Sequence, residues 1–328
     1  MKICIYGAGA VGGHAAAVWA RAGHEVTVIA RGPQLAGIKA GGLTFISKTE
    51  RFTVPVRAVA TPEEAGVQDV VVLTLKAPSL GAVAGQLDPL LGPETPIVAA
   101  LNGIPWWFFS GYGGDLEGRR LAVLDPDGVL AAGIPIDRLI GCVLYIAAEV
   151  TQPGEITHAF GGRWVLGEPK GGLTPRLKGL VKTLTVPGLT MQASATIRGD
   201  ICHKLIGNMA GNCVSALAYA TSAEMLEYPP TRDVIMAMLR EGIAMAEALG
   251  IKIPGSIEER VGIMASLGSF RSSTLQDVER GRPIEADGLI IAVQEIARLV
   301  GVPTPTIDVV AALIGLRAKT LLKGPTAG

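Results

Sequence analysis

The sequence predicts an α/β chain in two parts: an open, largely parallel sheet wound with helices over residues 1–194, and an all-helical domain over residues 195–328. Three observations predict it. A glycine-rich turn at the N-terminus stands between a short apolar run and a helical pattern. Apolar runs of strand length alternate with helical patterns through the first half. From about Ala195 onward the periodicity is helical throughout.

The first run, Met1-Lys2-Ile3-Cys4-Ile5-Tyr6, opens into Gly7-Ala8-Gly9-Ala10-Val11-Gly12 and then a helical pattern to Ala22. This is G-x-G-x-x-G in the context that gives it meaning: strand, tight turn, helix. Gly7 permits the turn, Gly9 lets the backbone approach a pyrophosphate, and Gly12 lets helix and strand pack closely. The free N–H groups of the helix start attract the phosphates. The expectation is a Rossmann-type dinucleotide-binding domain; the alternative is a glycine-rich turn of an unrelated α/β fold. A second strand follows at Glu25–Ile29 and ends in Ala30-Arg31-Gly32. A free ribose 2′-hydroxyl calls for a carboxylate there. Arg31 occupies the place instead, and a guanidinium suits a 2′-phosphate. The cofactor expected is therefore NADP(H), unless Arg31 is an ordinary solvated side chain.

Thr61-Pro62-Glu63-Glu64 reads as a capped helix start. Buried strands are expected at residues 69–75, ending at Lys76, and at residues 96–101, ending at Asn102-Gly103. Ligands of parallel sheets lie beyond the carboxyl ends of strands, and Gly7, Arg31, Lys76 and Asn102 all fall at such ends. Taken singly, Lys76 also reads as a loop lysine and Asn102-Gly103 as turn chemistry. Residues 110–138 read as irregular, with a turn at Asp125-Pro126-Asp127-Gly128. Residues 139–150, 155–160 and 163–167 read as strands extending the sheet in antiparallel fashion, and residues 189–193 as the last strand.

The helical part opens with a long pattern over residues 196–220. Thr221-Ser222-Ala223-Glu224 and Ser256-Ile257-Glu258-Glu259 are capping boxes that begin new helices. Residues 234–249, 285–300 and 306–322 complete the set. Lys204, Asn208 and Asn212 recur every four residues, so on a helix they drift only about 40° per step and share one stripe. Their helix is otherwise apolar, with Leu205, Ile206, Met209 and Val214. Reducing a ketone takes a hydride from a nicotinamide and a proton at the forming alkoxide. A lysine in a water-poor site can give that proton and stabilise the oxyanion. Asparagines can donate to a carboxylate or hydroxyl without adding charge. The bland alternative is an exposed polar face.

Taken together, these residues resemble the ketopantoate reductases (2-dehydropantoate 2-reductases). Gly7 to Gly12, Arg31, Lys76-Ala77, Asn102-Gly103, Pro153-Gly154-Glu155-Ile156-Thr157-His158 and Lys204-Leu205-Ile206-Gly207-Asn208 occur in that family's order. Asn212-Cys213-Val214-Ser215-Ala216-Leu217 is similar to its Asn-Pro-Leu-Thr-Ala-Leu. Ser273-Thr274-Leu275-Gln276-Asp277 with Glu285 is similar to its C-terminal signature. The resemblance spans nearly the whole chain. It implies NADPH-dependent reduction of ketopantoate to (R)-pantoate, on the way to pantothenate and coenzyme A. Lys204 would be the proton donor. Asn102, Asn208, Asn212 and Ser273 would hold the substrate. Lys76, Asn102, Ala148 and Glu285 would line the cofactor beside Gly7, Ala8, Gly9, Ala10, Val11, Gly12 and Arg31. Ser273 also reads as a helix cap, Glu285 as a carboxylate at a helix start, and Ala148 as sheet packing.

Two departures bear on the substrate. The family usually carries Glu-x-Asp-Tyr-x-Asn-Gly; this chain has Glu285-Ala286-Asp287-Gly288-Leu289-Ile290-Ile291. It also carries Trp106-Trp107-Phe108-Phe109 after Asn102, which reads as a substrate mouth, core packing or a subunit contact. Reduction of a different 2-keto acid, or a non-catalytic NADP(H)-sensing role, stay open at this level.

Composition narrows the rest. Of 328 residues 49% are hydrophobic and 18% charged, ample for two cores. Twenty-nine basic residues balance 29 acidic ones, so neither nucleic acid nor an anionic membrane is indicated as partner. No apolar run approaches the roughly 20 residues that span a bilayer. The first residues read as a buried strand rather than a leader, and the expected location is cytoplasmic. Cys4, Cys142, Cys202 and Cys213 read as reduced core thiols. His14, His24, His158 and His203 are scattered, so no metal site is expected. The expected partner is a small-molecule 2-keto acid. Self-association stays open between a homodimer and packing within the chain.

Overall fold

The N-terminal run is strand β1 (Lys2–Tyr6), with four of its five residues buried. It leads through the glycine turn into α1 (Ala10–Arg21), β2 (Glu25–Ile29) and α2 (Gly32–Gly41). Then come β3 (Leu43–Ile46), β4 (Arg51–Val54), β5 (Arg57–Val59), α3 (Pro62–Ala65), β6 (Val70–Leu73), α4 (Gly81–Ala84) and β7 (Ile97–Ala100). After α5 (Val129–Gly133) run two long strands, β8 (Leu139–Gln152) and β9 (Glu155–Gly167), followed by α6 (Pro175–Leu184) and β10 (Thr190–Ser194). The remainder is helical: α7 (Ile197–Ala218), α8 (Ser222–Glu227), α9 (Pro229–Ala248), α10 (Ile257–Ser266), α11 (Ser273–Glu279), a π-helical turn (Asp287–Ile291), α12 (Ala292–Leu299) and α13 (Pro305–Leu321). This computed structural model describes residues 1–321. Residue 322, the last of the helix expected at 306–322, lies outside them.

The chain divides into two compact units. One comprises Met1–Leu101, Trp107–Arg120 and Asp127–Ile197; the other comprises Asn102–Trp106, Leu121–Pro126 and the chain from Arg198 onward. The first unit holds a ten-stranded sheet in the order β4-β3-β9-β8-β7-β6-β1-β2-β5, with β10 paired to β9. β5, β2, β1, β6, β7 and β8 are mutually parallel. β8 then turns back through Pro153-Gly154 into the antiparallel β9. β3 and β10 both run parallel to β9.

The two strands expected at 155–160 and 163–167 are one element, kinked at Gly161 and Gly162, whose φ values are +88° and +121°. The pairing register slips there, which preserves the ladder at a bulge where L side chains are strained. The expected strand at 189–193 is found as β10, which pairs parallel to β9. α1 packs on this sheet through Ala15, Ala16 and Trp19, all fully buried. Trp19 meets Trp164 edge-on and donates its Nε1–H to the Leu184 carbonyl at 2.8 Å.

In the second unit α7 turns Cys202, Leu205, Ile206, Met209, Ala210 and Cys213 inward. Gly242 of α9 makes room for that face: a Cβ there would stand 3.2 Å from Met209 and 3.3 Å from Ile206. Both predicted capping boxes form, Thr221 with Glu224 and Ser256 with Glu259. All four cysteines are free and buried. Burial pushes the thiols of Cys4, Cys202 and Cys213 up to about 12. Among the described residues no helix is long and apolar enough to cross a membrane.

Trp107, Phe108 and Phe109 are buried in the first unit, where the Trp107 ring would collide with any Cβ on Gly141. Trp106, also buried, belongs to the second unit. Of the three readings of this aromatic run, burial selects core packing. The following stretch, expected to be irregular over 110–138, is mostly turns but carries the short helix α5. One of its turns is stapled by Glu117, whose carboxylate accepts from the Gly111 and Gly113 amides at 2.7 and 2.5 Å.

Candidate active site

In the first unit the turn after β1 is shaped by its glycines. Gly7 has φ +109°, and a Cβ there would lie 2.9 Å from the Leu75 side chain. A Cβ on Gly12 would collide with the Gly7 carbonyl and the Thr74 hydroxyl. Gly9 differs: no heavy atom lies within 4 Å of where its Cβ would stand. Gly9 is the residue before the first turn of α1, and that turn carries no acidic side chain. Exposed backbone N–H groups with open space above them are what a pyrophosphate requires. These residues therefore fit the phosphates of a dinucleotide, with Ala8, Ala10 and Val11 between the glycines.

Three braces of this turn escape a reading of the sequence. The Thr74 hydroxyl donates to the Gly7 carbonyl at 2.6 Å. Gln34 of α2 donates to the Ala8 carbonyl at 2.8 Å and accepts from the Gly154 amide at 3.0 Å. Ile156 fills the space that a Cβ on Gly13 would take. The Pro153–His158 motif thus acts as a prop for the glycine turn. A lone Thr ending a Val/Leu strand was the one available signal.

Arg31 is exposed at the start of α2, near enough to the Tyr6 phenol for its charge to act on that group's ionisation. Burial pushes that phenol above its ordinary value, while the Arg31 charge opposes the rise. Lys76 is exposed three residues after the end of β6. Ala148 is half-buried on β8 opposite His158 and packs against the core of this unit.

The second unit carries the polar residues. Lys204, Asn208 and Asn212 are all half-buried on α7, with Leu205, Ile206, Met209 and Cys213 buried beside them and His203 exposed. The row is therefore neither solvated nor sealed. The Lys204 Nζ donates to the Asn102 Oδ1 at 2.7 Å, joining residues 102 positions apart. An ammonium held at this distance by a neutral acceptor is oriented and keeps donors for a second partner. Arg260 of α10, 8% exposed, contacts His203, the residue before Lys204. It donates to the His203 carbonyl at 3.3 Å and the Pro254 carbonyl at 2.7 Å, and lies 3.0 Å from the His203 Nδ1. Burial draws this guanidinium below its ordinary value. Nothing in the sequence singled it out.

Ser273 is exposed as the first residue of α11. The cap is Ser272, whose hydroxyl accepts the Leu275 amide at 3.1 Å. The cap reading thus falls on the neighbour and leaves the Ser273 hydroxyl outside it. Glu285 is half-buried two residues before the π-helical turn, and its carbonyl accepts from the Leu289 amide at 3.2 Å.

Family comparison agrees with these features. The family profile described as ketopantoate reductase PanE/ApbA matches residues 3–171, and its C-terminal counterpart matches residues 196–318. A 2-dehydropantoate 2-reductase from Mesorhizobium japonicum is 45% identical over 315 residues, covering 96% of this chain and 97% of that protein. A crystal structure from Ralstonia solanacearum MolK2 superposes with a TM-score of 0.92 at 42% identity, covering 97% of this chain and 98% of that one. The fold is also that of a dimeric ketopantoate reductase from Staphylococcus aureus, with TM-score 0.73 and 19% identity over 98% of this chain and 100% of that one.

Proposed function

Since this chain belongs to the ketopantoate reductase family, we propose that it is an NADPH-dependent 2-dehydropantoate 2-reductase. It reduces the 2-keto group of ketopantoate to give (R)-pantoate, towards pantothenate and coenzyme A. The observation that carries the reading is the Lys204–Asn102 pair on an otherwise apolar helix face.

NADPH supplies the hydride to the keto carbon. Gly7 to Gly12 would hold its pyrophosphate and Arg31 its 2′-phosphate, with Lys76, Asn102, Ala148 and Glu285 as its further binding residues. The acid chemistry falls to residues 195–328. Lys204 gives its proton to the carbonyl oxygen as that oxygen becomes an alkoxide, and its positive charge lowers the cost of the developing anion. Asn102 holds the ammonium in place. Asn208, Asn212 and Ser273 offer neutral donors to the substrate's carboxylate and hydroxyl.

The departures at Gly288, Ile290 and Ile291 favour one second reading, in which the same chemistry acts on a different 2-keto acid. Buried free thiols support a reducing, cytoplasmic setting. A homodimer is the proposed assembly, supported by the dimeric fold neighbour and by an exposed apolar row on α13.

The fall of NADPH absorbance, followed with ketopantoate and with a panel of other 2-keto acids, tests the substrate. Ketopantoate should give the highest kcat/KM; a better substrate in the panel transfers the assignment. Lys204→Ala should lower kcat by roughly 100- to 10,000-fold while NADPH binding stays within about twofold. Turnover that survives this change removes Lys204 as the acid.

A further inference from the structure

Each carbonyl of the turn after β1 is tied off. The Gly7 carbonyl accepts the Thr74 hydroxyl at 2.6 Å, the Ala8 carbonyl accepts the Gln34 side-chain amide at 2.8 Å, and the Gly9 carbonyl accepts the Gly13 amide at 2.7 Å. Among the described residues the backbone amides of Ala8 and Gly9 meet no acceptor. A trans peptide is planar, so its C=O and N–H point in opposite directions. Drawing the Ala8 carbonyl towards α2 therefore turns the Gly9 N–H away from α2. The far side of the turn then carries the donor of that peptide and not its acceptor. Glycine at position 9 makes the arrangement reversible. Its φ is −74°, and a flip of the peptide between residues 8 and 9 carries φ to positive values, which glycine enters without strain.

We propose that Gln34 is a positioning residue for the cofactor, one that locks the Ala8–Gly9 peptide with its N–H towards the pyrophosphate. This role rests on the reading of Gly7 to Gly12 as the pyrophosphate site. Gln34 is itself held at both ends: its Oε1 accepts the Gly154 amide at 3.0 Å. One partner accepts and the other donates, which fixes the direction of the side-chain amide. A carboxylate or a cationic side chain could serve only one of them. The helix that carries Gln34 is seated too. A Cβ on Gly37 would lie 2.6 Å from the carbonyl carbon and oxygen of Pro153, so α2 meets the turn between β8 and β9 backbone to backbone. A backbone N–H aimed at a phosphate oxygen makes a charge-assisted bond, about twice as strong as a neutral one. A carbonyl aimed there repels the phosphate instead. Loss of the lock therefore weakens the cofactor at its pyrophosphate and leaves the hydride step alone once the cofactor is bound.

The test titrates NADPH and adenosine 2′-monophosphate against wild type, Gln34→Leu and Gln34→Glu by calorimetry, with folding checked by circular dichroism and thermal melting. The second ligand carries a 2′-phosphate but no pyrophosphate. Gln34→Leu should weaken NADPH roughly 10- to 100-fold and adenosine 2′-monophosphate by no more than about twofold. KM for NADPH should rise while kcat at saturating NADPH stays within about twofold, the mark of lost uniform binding. Without any ligand, the Ala8 carbonyl carbon resonance should move upfield in the variant as its hydrogen bond is lost. Gln34→Glu keeps an acceptor for Gly154 but has no proton for Ala8, and it should lose at least as much NADPH affinity. If Gln34→Leu does not fold, Gln34→Glu carries the same comparison. A folded variant with wild-type NADPH affinity overturns the proposal. So do equal losses for the two ligands, which would place the effect at Arg31 and α2, and so does a fall in kcat with affinity unchanged. Wild type that binds neither NADPH nor NADH sinks the pyrophosphate reading and this role together. Tight wild-type binding matched by both variants sinks the Gln34 role alone.

Discussion

Arg31 decides between two cofactors that differ by one phosphate. Its positive charge acts on the phenol of Tyr6, itself 2% exposed at the end of β1, and its planar fork matches the oxygens of a 2′-phosphate. Arg31→Ala should therefore weaken NADPH by about 1–3 kcal/mol while leaving NADH nearly untouched. Titration of each nucleotide against the variant reads the difference. Equal losses for both would remove Arg31 from the 2′-phosphate. At this scale the glycine turn was legible in the sequence, because Gly7 and Gly12 answer close contacts that a Cβ would break while Gly9 leaves the space above the turn open. The Lys204–Asn102 pair was legible only as two separate residues. Nothing local says that positions so far apart in the chain will meet.

Elements show the same division. β1, α1 and β2 were legible because apolar periodicity and a glycine turn agree there, and α8 and α10 because capping boxes mark their starts. β3 and β4 were not. Each has only four residues; β3 alternates buried and half-buried positions over a run too short to stand out in the sequence, and β4 has none that is buried. The helix expected at 285–300 is split by its π-helical turn, since a one-residue insertion leaves the apolar periodicity almost unchanged. α13 carries a feature of another kind. Val309, Leu313 and Leu316 lie at helical spacing on one face and are 60%, 52% and 61% exposed. Polar side chains would normally cover such a face in a monomer. If a second copy of the chain covers it, light scattering should give twice the chain mass. Leu313→Glu should then shift the protein towards monomer, because it places a charge in an apolar contact. A wild-type protein that is monomeric at all accessible concentrations would leave this row as ordinary surface.

At the scale of the molecule, stability depends on pH through a group the chemistry does not use. His14 lies on α1 directly behind the glycine turn and is fully buried. Its ring is 4.8 Å from that of His158 and 5.5 Å from Phe45, centroid to centroid. Neither of its nitrogens has a hydrogen-bond partner. Burial, and secondarily the charge of His158, lowers its pKa from 6.5 to about 3. The folded protein therefore holds His14 neutral where the unfolded chain would protonate it. The stability it permits is complete above the unfolded value and is lost progressively as pH falls from about 6.5 towards about 3. At pH 5 the loss is on the order of 2 kcal/mol. Urea denaturation at pH 7 and pH 5 should show wild type losing this much more than His14→Leu, which cannot bind the proton. At pH 7 the variant should be no less stable than wild type by more than about 1 kcal/mol, because an unpartnered buried polar ring is replaced by an apolar side chain of similar size. Identical pH dependence in the two proteins would mean that other groups set the acid limit, and that His14 is solvated or hydrogen-bonded in solution.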